Sequence, residues 1–340
     1  MSDAAVTEAD DAALLVALQR GLPLCARPFE ELARETGCTE ADLLACLART
    51  RAAGHVRRFG AVFDTRRLGY ASALCAVAAP AEALDAVAAR VTPLGGVTHC
   101  YARTPAEGGD ARLPTLWFTL STPKDVFPAM ADEVAARVRP YALRVLPATR
   151  RYKVDVVFGA ATRAREEAVE DDELPPLTAR ERAVVGAVQG DTEARADYFA
   201  ALAARLGLKE WDLLSTLEIW RRKGRLKRIG LLLHHRHAGW QANGMCCWRV
   251  AGDTAAVGRA LAARGEVTHC YERPEAPDFP YNLFAMVHAR TVAEAQAQFA
   301  ALCAEVARVA GAGVPAIMLL STREYKKTSM TFFAPSRQLC

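Results

Sequence analysis

Residues 97–103 read VTHCYAR and residues 267–273 read VTHCYER, 170 positions apart in a chain of 340 residues. The same offset pairs Gly54 with Gly224, Arg58 with Arg228, Gly60 with Gly230, Arg66 with Arg236 and Gly69 with Gly239. It also sets Tyr70 against Trp240. Arg150-Arg151-Tyr152-Lys153 recurs as Arg323-Glu324-Tyr325-Lys326 at an offset of 173, so a short insertion separates the copies' ends. Self-similarity at a fixed spacing marks a duplicated structural unit. The chain must therefore build two copies of one module, in tandem.

Each copy divides in two. Leu14, Leu15 and Leu18, then Phe29, Leu32 and Ala33, then Leu43, Leu44 and Leu47 recur at helical spacing. Thr39 with Asp42 reads as a helix N-cap, Gly54 as a stop, and Thr178 with Glu181 opens the matching helix of copy two. Three short helices with a tight turn before the third predict a helix-turn-helix. Beyond it, strands are expected at Ala71–Ala78, Val97–Ala102, Thr115–Leu120 and Leu143–Leu146, with helices at Ala81–Val91 and Pro123–Val138. Copy two repeats the strands at Gly244–Val250, Val267–Tyr271, Leu283–Val287 and Ala316–Leu320.

The fold class is α+β, a tandem duplication of a helix-turn-helix plus a ferredoxin-like βαββαβ unit with helices on one face of an antiparallel sheet. The expected domains are 1–60 and 61–163, then a linker at 164–177, then 178–230 and 231–340. The linker, AREEAVEDDELPPL, is acidic and carries Pro-Pro.

Net charge is +4, too small to imply a polyanionic partner by itself. The start, MSDAAVTEADDAA, is acidic without an apolar signal region, and no run approaches a membrane span. A cytoplasmic protein with no membrane contact is expected. Ten cysteines are scattered without CxxC or zinc spacing, so they read as reduced core residues.

A helix-turn-helix joined to a ferredoxin-like sheet resembles the Lrp/AsnC regulators. RRFGAVFDTRRLGY (57–70) and KRIGLLLHHRHAGW (227–240) are similar to that family's connection between its two parts. VTHCYxR, the RRxG segment and the terminal RxYK segment resemble, more narrowly, siroheme decarboxylases of the same fold, in the fused two-subunit form of haem d1 biosynthesis. That resemblance implies removal of CO2 from the C12 and C18 acetates of siroheme, giving 12,18-didecarboxysiroheme. It implies no added organic cofactor, since the iron belongs to the substrate.

Such a substrate needs an apolar slot, cations for its carboxylate rim and a ligand or acid near its centre. Arg suits the rim because its planar fork grips carboxylate bidentately. The candidate cations are Arg57, Arg58 and Arg66 with Lys227, Arg228 and Arg236, then Arg150, Arg151 and Lys153 with Arg323, Lys326 and Lys327. Arg273 joins them, and Trp240, Met245 and Trp248 are expected to line the slot. His99 and His269 sit inside strands, where alternation would put His99 on the face of Val97 and Tyr101. Imidazole there suits substrate binding at His99 and iron ligation or proton donation at His269. His234, His235 and His237 cluster in copy two alone, making that copy the expected catalytic one. The proton donor is then sought among His234, His235, His237, His269 and Tyr325.

Other classes leave different traces. A DNA-binding regulator needs a basic start to its third helix. Here Glu40 and Asp42, and Glu210 and Asp212, come first, while Trp211 and Trp220 suggest packing. A tetrapyrrole carrier and a zinc enzyme are the remaining alternatives, the latter lacking companion ligands for the histidine run. The two copies should form a pseudo-dimer, and pairing of two chains into a homodimer is expected.

Overall fold

Three helices open each half of the chain. The structure, a computed structural model, describes residues 8–107, 113–154, 167–168, 174–233 and 242–333. The first half runs α1 (Glu8–Arg20), α2 (Pro28–Thr36), α3 (Glu40–Ala52), β1 (Val56–Phe63), β2 (Tyr70–Val77), α4 (Ala81–Val91), β3 (Val97–Pro105), β4 (Leu116–Pro123), α5 (Phe127–Arg137), β5 (Leu143–Pro147), β6 (Arg150–Val154) and β7 (Glu167–Ala168). The second runs α6 (Ala179–Gln189), α7 (Tyr198–Arg205), α8 (Glu210–Arg222), β8 (Leu226–Leu233), β9 (Ala242–Trp248), α9 (Thr254–Ala263), β10 (Val267–Glu272), β11 (Leu283–Ala289), α10 (Val292–Ala310) and β12 (Ala316–Lys327).

Local chemistry sets the helix ends. Thr39 with Asp42 and Thr178 with Glu181 form reciprocal capping boxes, satisfying donors that the first turn cannot pair. α2 starts on Pro28 and stops at Gly37, whose φ of 72° suits the left-handed cap. Its buried face is Phe29, Leu32 and Ala33.

The two three-helix heads share one core, in which Phe29, Phe59 and Tyr198 meet at ring separations of 5.8–6.3 Å. Beneath them β1 and β8 pair antiparallel about Gly60 and Gly230. Each head packs on the other half's strand. Leu22 N donates to Ile229 O at 2.7 Å, and Thr192 N donates to Phe59 O at 2.8 Å. Both glycines are required by this crossing. A Cβ at Gly230 would lie 2.5 Å from Leu18 O, and one at Gly60 would overlap Gly190 O.

A ten-stranded sheet follows, in the order β5-β2-β4-β3-β12-β9-β11-β10-β6-β7. Each half supplies four strands in ferredoxin-like order, then sends its last segment into the other half. The first part of β12 pairs with β9 in its own half and its later part with β3. Likewise β5 pairs with β2, but β6 pairs with β10. The sequence reading missed β6 and the extension of β12, because their partners lie more than a hundred residues away. The 164–177 stretch is also not all linker: Glu167–Ala168 adds an edge strand to β6.

One face of each half-sheet is covered by its own helices. Cys75, Val77, Phe118 and Leu120 pack under α4 and α5, while Cys246, Trp248, Ala285 and Val287 pack under α9 and α10. The opposite face carries a third layer, including Trp117, Leu146, Met245, Phe284 and Leu319 from both halves. No helix among the described residues is long and apolar enough to cross a membrane.

Candidate active site

The recurring motifs converge on the strand exchange. In one junction Tyr271 lies opposite Arg151 and Glu272 opposite Arg150. In the other Tyr101 lies opposite Glu324 and His99 opposite Lys327. Each VTHCY strand is thus completed by the RxYK segment of the other half.

A β-bulge decides what these strands present. Register breaks between Val97 and His99 and again between Val267 and His269. Val97 and Cys100 therefore both face the helices, as do Val267 and Cys270. The expected pairing of His99 with Val97 on one face is overturned, since the extra residue reverses the alternation. His99, Tyr101 and Arg103 line the face away from the helices, as do His269, Tyr271 and Arg273. The rings of His99 and Tyr101 stack at 6.4 Å and those of His269 and Tyr271 at 6.2 Å. Arg103 and Arg273 cover their tyrosines at 5.6 and 4.8 Å.

Arg103 is buried and Arg273 half-buried, and neither has a carboxylate partner among the described residues. Arg103 donates to Leu319 O at 3.2 Å and Arg273 donates to Leu146 O at 2.6 Å. Burial pushes both down to about 10. Arg103 ties β3 to β12 and Arg273, just past β10, ties to β5, so each is an inter-half staple.

Around His269 the cations gather on one acid that sequence reasoning did not select. Asp64 is 2 % exposed and follows β1. Its Oδ2 accepts from Arg151 Nη2 at 2.9 Å and lies 3.8 Å from Lys227 Nζ, while Oδ1 lies 3.8 Å from Arg66 Nε. Oδ1 also accepts from the backbone N–H of Arg66 and Arg67 at 3.0 and 3.4 Å. The only clue in the sequence is a lone acid within RRFGAVFDTRRLGY, aligned with His234 in the repeat. Burial, followed by the charges of Lys227, Arg273 and Lys153, pulls His269 down to about 4. Thr268 Oγ1 lies 3.1 Å from His269 Nδ1 and 3.3 Å from Nδ1 of His288, a second histidine that the sequence did not flag.

Around His99 the set differs. Arg57 is half-buried, and burial lowers its pKa against the pull of Tyr101 and Glu324. His99 Nδ1 lies 3.0 Å from Thr98 Oγ1, and Lys327 stands across the strand pair.

Other candidates are placed elsewhere. Tyr325 packs on the helix side and donates to Asp85 Oδ1 at 2.5 Å, with Arg323 on the same carboxylate at 2.7 Å. Burial and that acid push the Tyr325 phenol up to about 12. Lys326 donates to Thr92 O and Leu94 O beyond the end of α4, and Lys153 to Arg264 O beyond the end of α9. Arg150 lies beside Tyr152 on the helix side. Arg58 donates to Ala61 O and Gln189 O under the heads, where Arg228 pairs across the ribbon with Val62. Met245 faces the layer between the halves but Trp248 faces α10, against Phe299. Three residues apart on a strand, they cannot line one slot. His234, His235, Arg236, His237 and Trp240 lie outside the described residues.

Trp220 is buried in the shared head core, whereas Trp211, expected to pack, is 74 % exposed. A cleft of about 690 Å³ lies in the first head, lined by Cys25, Arg27, Glu30, Arg34 and Glu40 among others, and no recurring motif residue borders it. No cluster of metal-ligating side chains occurs among the described residues.

Comparison with known proteins places this arrangement. Residues 67–153 and 237–326 match the AsnC-like ligand binding domain, and residues 11–57 match the siroheme decarboxylase NirDL-like HTH domain. The chain is 35 % identical to a siroheme decarboxylase of Hydrogenobacter thermophilus, over 94 % of each chain. It belongs to the siroheme decarboxylase family. Another member of the family, the siroheme decarboxylase NirDL subunit of Paracoccus pantotrophus, is 34 % identical over 93 % of this chain and 95 % of its own. A crystal structure of the siroheme decarboxylase NirDL with an iron-uroporphyrin III analogue superposes with a TM-score of 0.71 and 31 % identity, covering 95 % of this chain and 94 % of that one.

Proposed function

We propose that this chain is a carboxy-lyase that removes CO2 from the C12 and C18 acetates of siroheme, giving 12,18-didecarboxysiroheme on the route to haem d1. The observation that carries the reading is the convergence of duplicated His–Tyr ladders with cations from both halves, in a chain that matches siroheme decarboxylases almost end to end. A flat, carboxylate-edged ring fits such a surface. Stacked aromatics meet its plane, and guanidinium and ammonium groups meet its rim.

The chemistry balances without an added cofactor. An ionised acetate loses CO2, the electron pair left on its carbon spreads into the macrocycle, and one proton converts that carbon to a methyl group. Cations on the non-reacting carboxylates fix which acetate meets the acid. A positioned donor contributes about 10²–10⁴-fold.

Held near 4, His269 is neutral at pH 7 and serves as a ligand to the substrate's iron or as a hydrogen-bond partner, in place of an imidazolium donor. Tyr325, committed to Asp85, is set aside. His234, His235 and His237 stay as the donors nominated by sequence. The acidic first turns of α3 and α8 argue against a DNA-binding role, since they would repel a duplex. We assign the activity to the cytoplasm and the working unit to a homodimer of pseudo-dimeric chains, which sedimentation tests.

The deciding experiment is anaerobic incubation with siroheme, followed by product mass and CO2 release. Formation of the didecarboxylated product with release of CO2 is expected. Unchanged turnover in single replacements of His234, His235, His237 and His269 alike would defeat the mechanism, and absence of any product would defeat the function.

A further inference from the structure

The third helix of each head, α3 in the first half and α8 in the second, holds the same place in the duplicated unit, so one can be read against the other. Their inner faces are both core: Leu43, Cys46 and Leu47 in α3, and Leu213, Leu217 and Trp220 in α8. Their outer faces diverge. On α8, Trp211 is 74 % exposed and Ile219 is 51 % exposed. Ser215 stands midway between them, and steps of four residues keep all three on one side of the helix. The repeat offset places Ala41, Ala45 and Arg49 at the matching positions of α3, all exposed, with Arg49 tied to Asp11 at 2.7 Å. The fold therefore has no need of apolar bulk on this face, and only the second head carries it.

Neither Trp211 nor Ile219 joins the shared head core, although Leu208 and Leu214 beside them do. Single exposed apolar residues are ordinary, but two large ones aligned on one helix face, and absent from its twin, mark a surface that meets a partner.

The charges of α8 say which partner. Glu210 and Asp212 in the first turn outweigh Lys209, and Asp212 has only a long, exposed pair with Arg180 at 3.8 Å. Arg221 and Arg222 close the helix, followed by Lys223. Glu218 accepts from both arginines, which still leaves that end with a positive surplus. A helix negative at its start and positive at its end is complementary to itself when run antiparallel. Two α8 helices crossing at Ser215 about a two-fold axis set each Trp211 against the other copy's Ile219. The same crossing lays each acidic first turn beside the other copy's basic last turn. Such a contact is isologous and closes on itself.

We propose that α8 is the contact surface between two copies of this chain, paired antiparallel through Trp211 and Ile219. This rests on the homodimer assigned above and names its surface. A 13-residue helix is about 20 Å long, so one such pair sits at the small end of specific interfaces and gives micromolar association.

The test is sedimentation of the full chain across the micromolar range. Wild type is expected to show a monomer–dimer equilibrium, and Trp211→Ala should raise its Kd by about 30-fold or more. Asp212→Lys and Arg222→Glu should each weaken the dimer, and their equimolar mixture should restore it, because the mixed pair sets opposite charges together at both ends. These two positions are exposed, so the charge exchange decides the matter even if Trp211→Ala folds poorly. A dimer indifferent to all three variants, or a mixture no tighter than its components, removes α8 from the interface and spares the homodimer. Growth beyond the dimer also overturns the two-fold contact, and a wild type that stays monomeric overturns contact and homodimer together. Siroheme turnover by wild type, measured separately, bears on the decarboxylase reading alone.

Discussion

His269 shows what desolvation does to a titratable group here. The His269 imidazole is held near 4, below its ordinary 6.5. The unfolded chain takes up a proton at this residue between those values and the folded chain does not. Stability from the neutral form is therefore complete above pH 6.5 and declines as pH falls toward 4. Chemical denaturation across that interval should show a shallower pH slope in His269→Gln than in wild type; an unchanged slope would contradict the assignment. Gly258 is a second residue-scale case. A Cβ there would overlap the Tyr152 ring, which β6 brings from the other half. Gly258→Ala is expected to cost about 1–3 kcal/mol by overpacking, measurable as a lowered Tm.

At the scale of elements, the lysines that close each RxYK segment act as caps across the halves. Lys326 reaches carbonyls beyond α4, and Lys153 reaches the equivalent carbonyl beyond α9. Lys153 is 3 % exposed, so its replacement strands a buried acceptor. Lys153→Met should cost about 1–3 kcal/mol without altering the Kd for siroheme, because the side chain points to the helix face. A changed Kd with unchanged Tm would reverse that conclusion.

Much at this scale was legible in sequence. Thr39–Asp42 and Thr178–Glu181 announced two helix starts, and α4 was bounded at Ala81–Val91 as observed. The bulge beside Thr98 and Thr268 was not legible, because alternation assumes an unbroken register. That one residue moved His99 onto the opposite face from Val97. Nor could β6 be read: its five residues acquire strand character from β10, far along the chain. The RxYK repeat flagged those positions as special, but its polar residues suggested ligand contacts, where several proved to be ties between halves.

For the whole molecule, the decisive relation is reciprocal. α1 lies on β8 and α6 on β1, while β12 completes β3 and β6 completes β10. Neither half retains its full hydrogen-bonding or its full core alone. Residues 1–168 and 174–340 produced separately should each fail to give a cooperative thermal transition, and mixing them during refolding should restore one. Cooperative melting of either fragment alone would show the exchange to be dispensable. The repeat offset made the duplication plain, but a repeat is equally compatible with two independent beads on a string. Only the pairing of strands distinguishes the two.

The reciprocal strands also bear on how such a protein changes over generations. A symmetric pair assembled from one gene must alter both of its clefts with every substitution. Once the copies share a single polypeptide, an acid can settle beside one motif and leave the other untouched. Asp64 standing where its twin position carries His234 is what that freedom leaves behind.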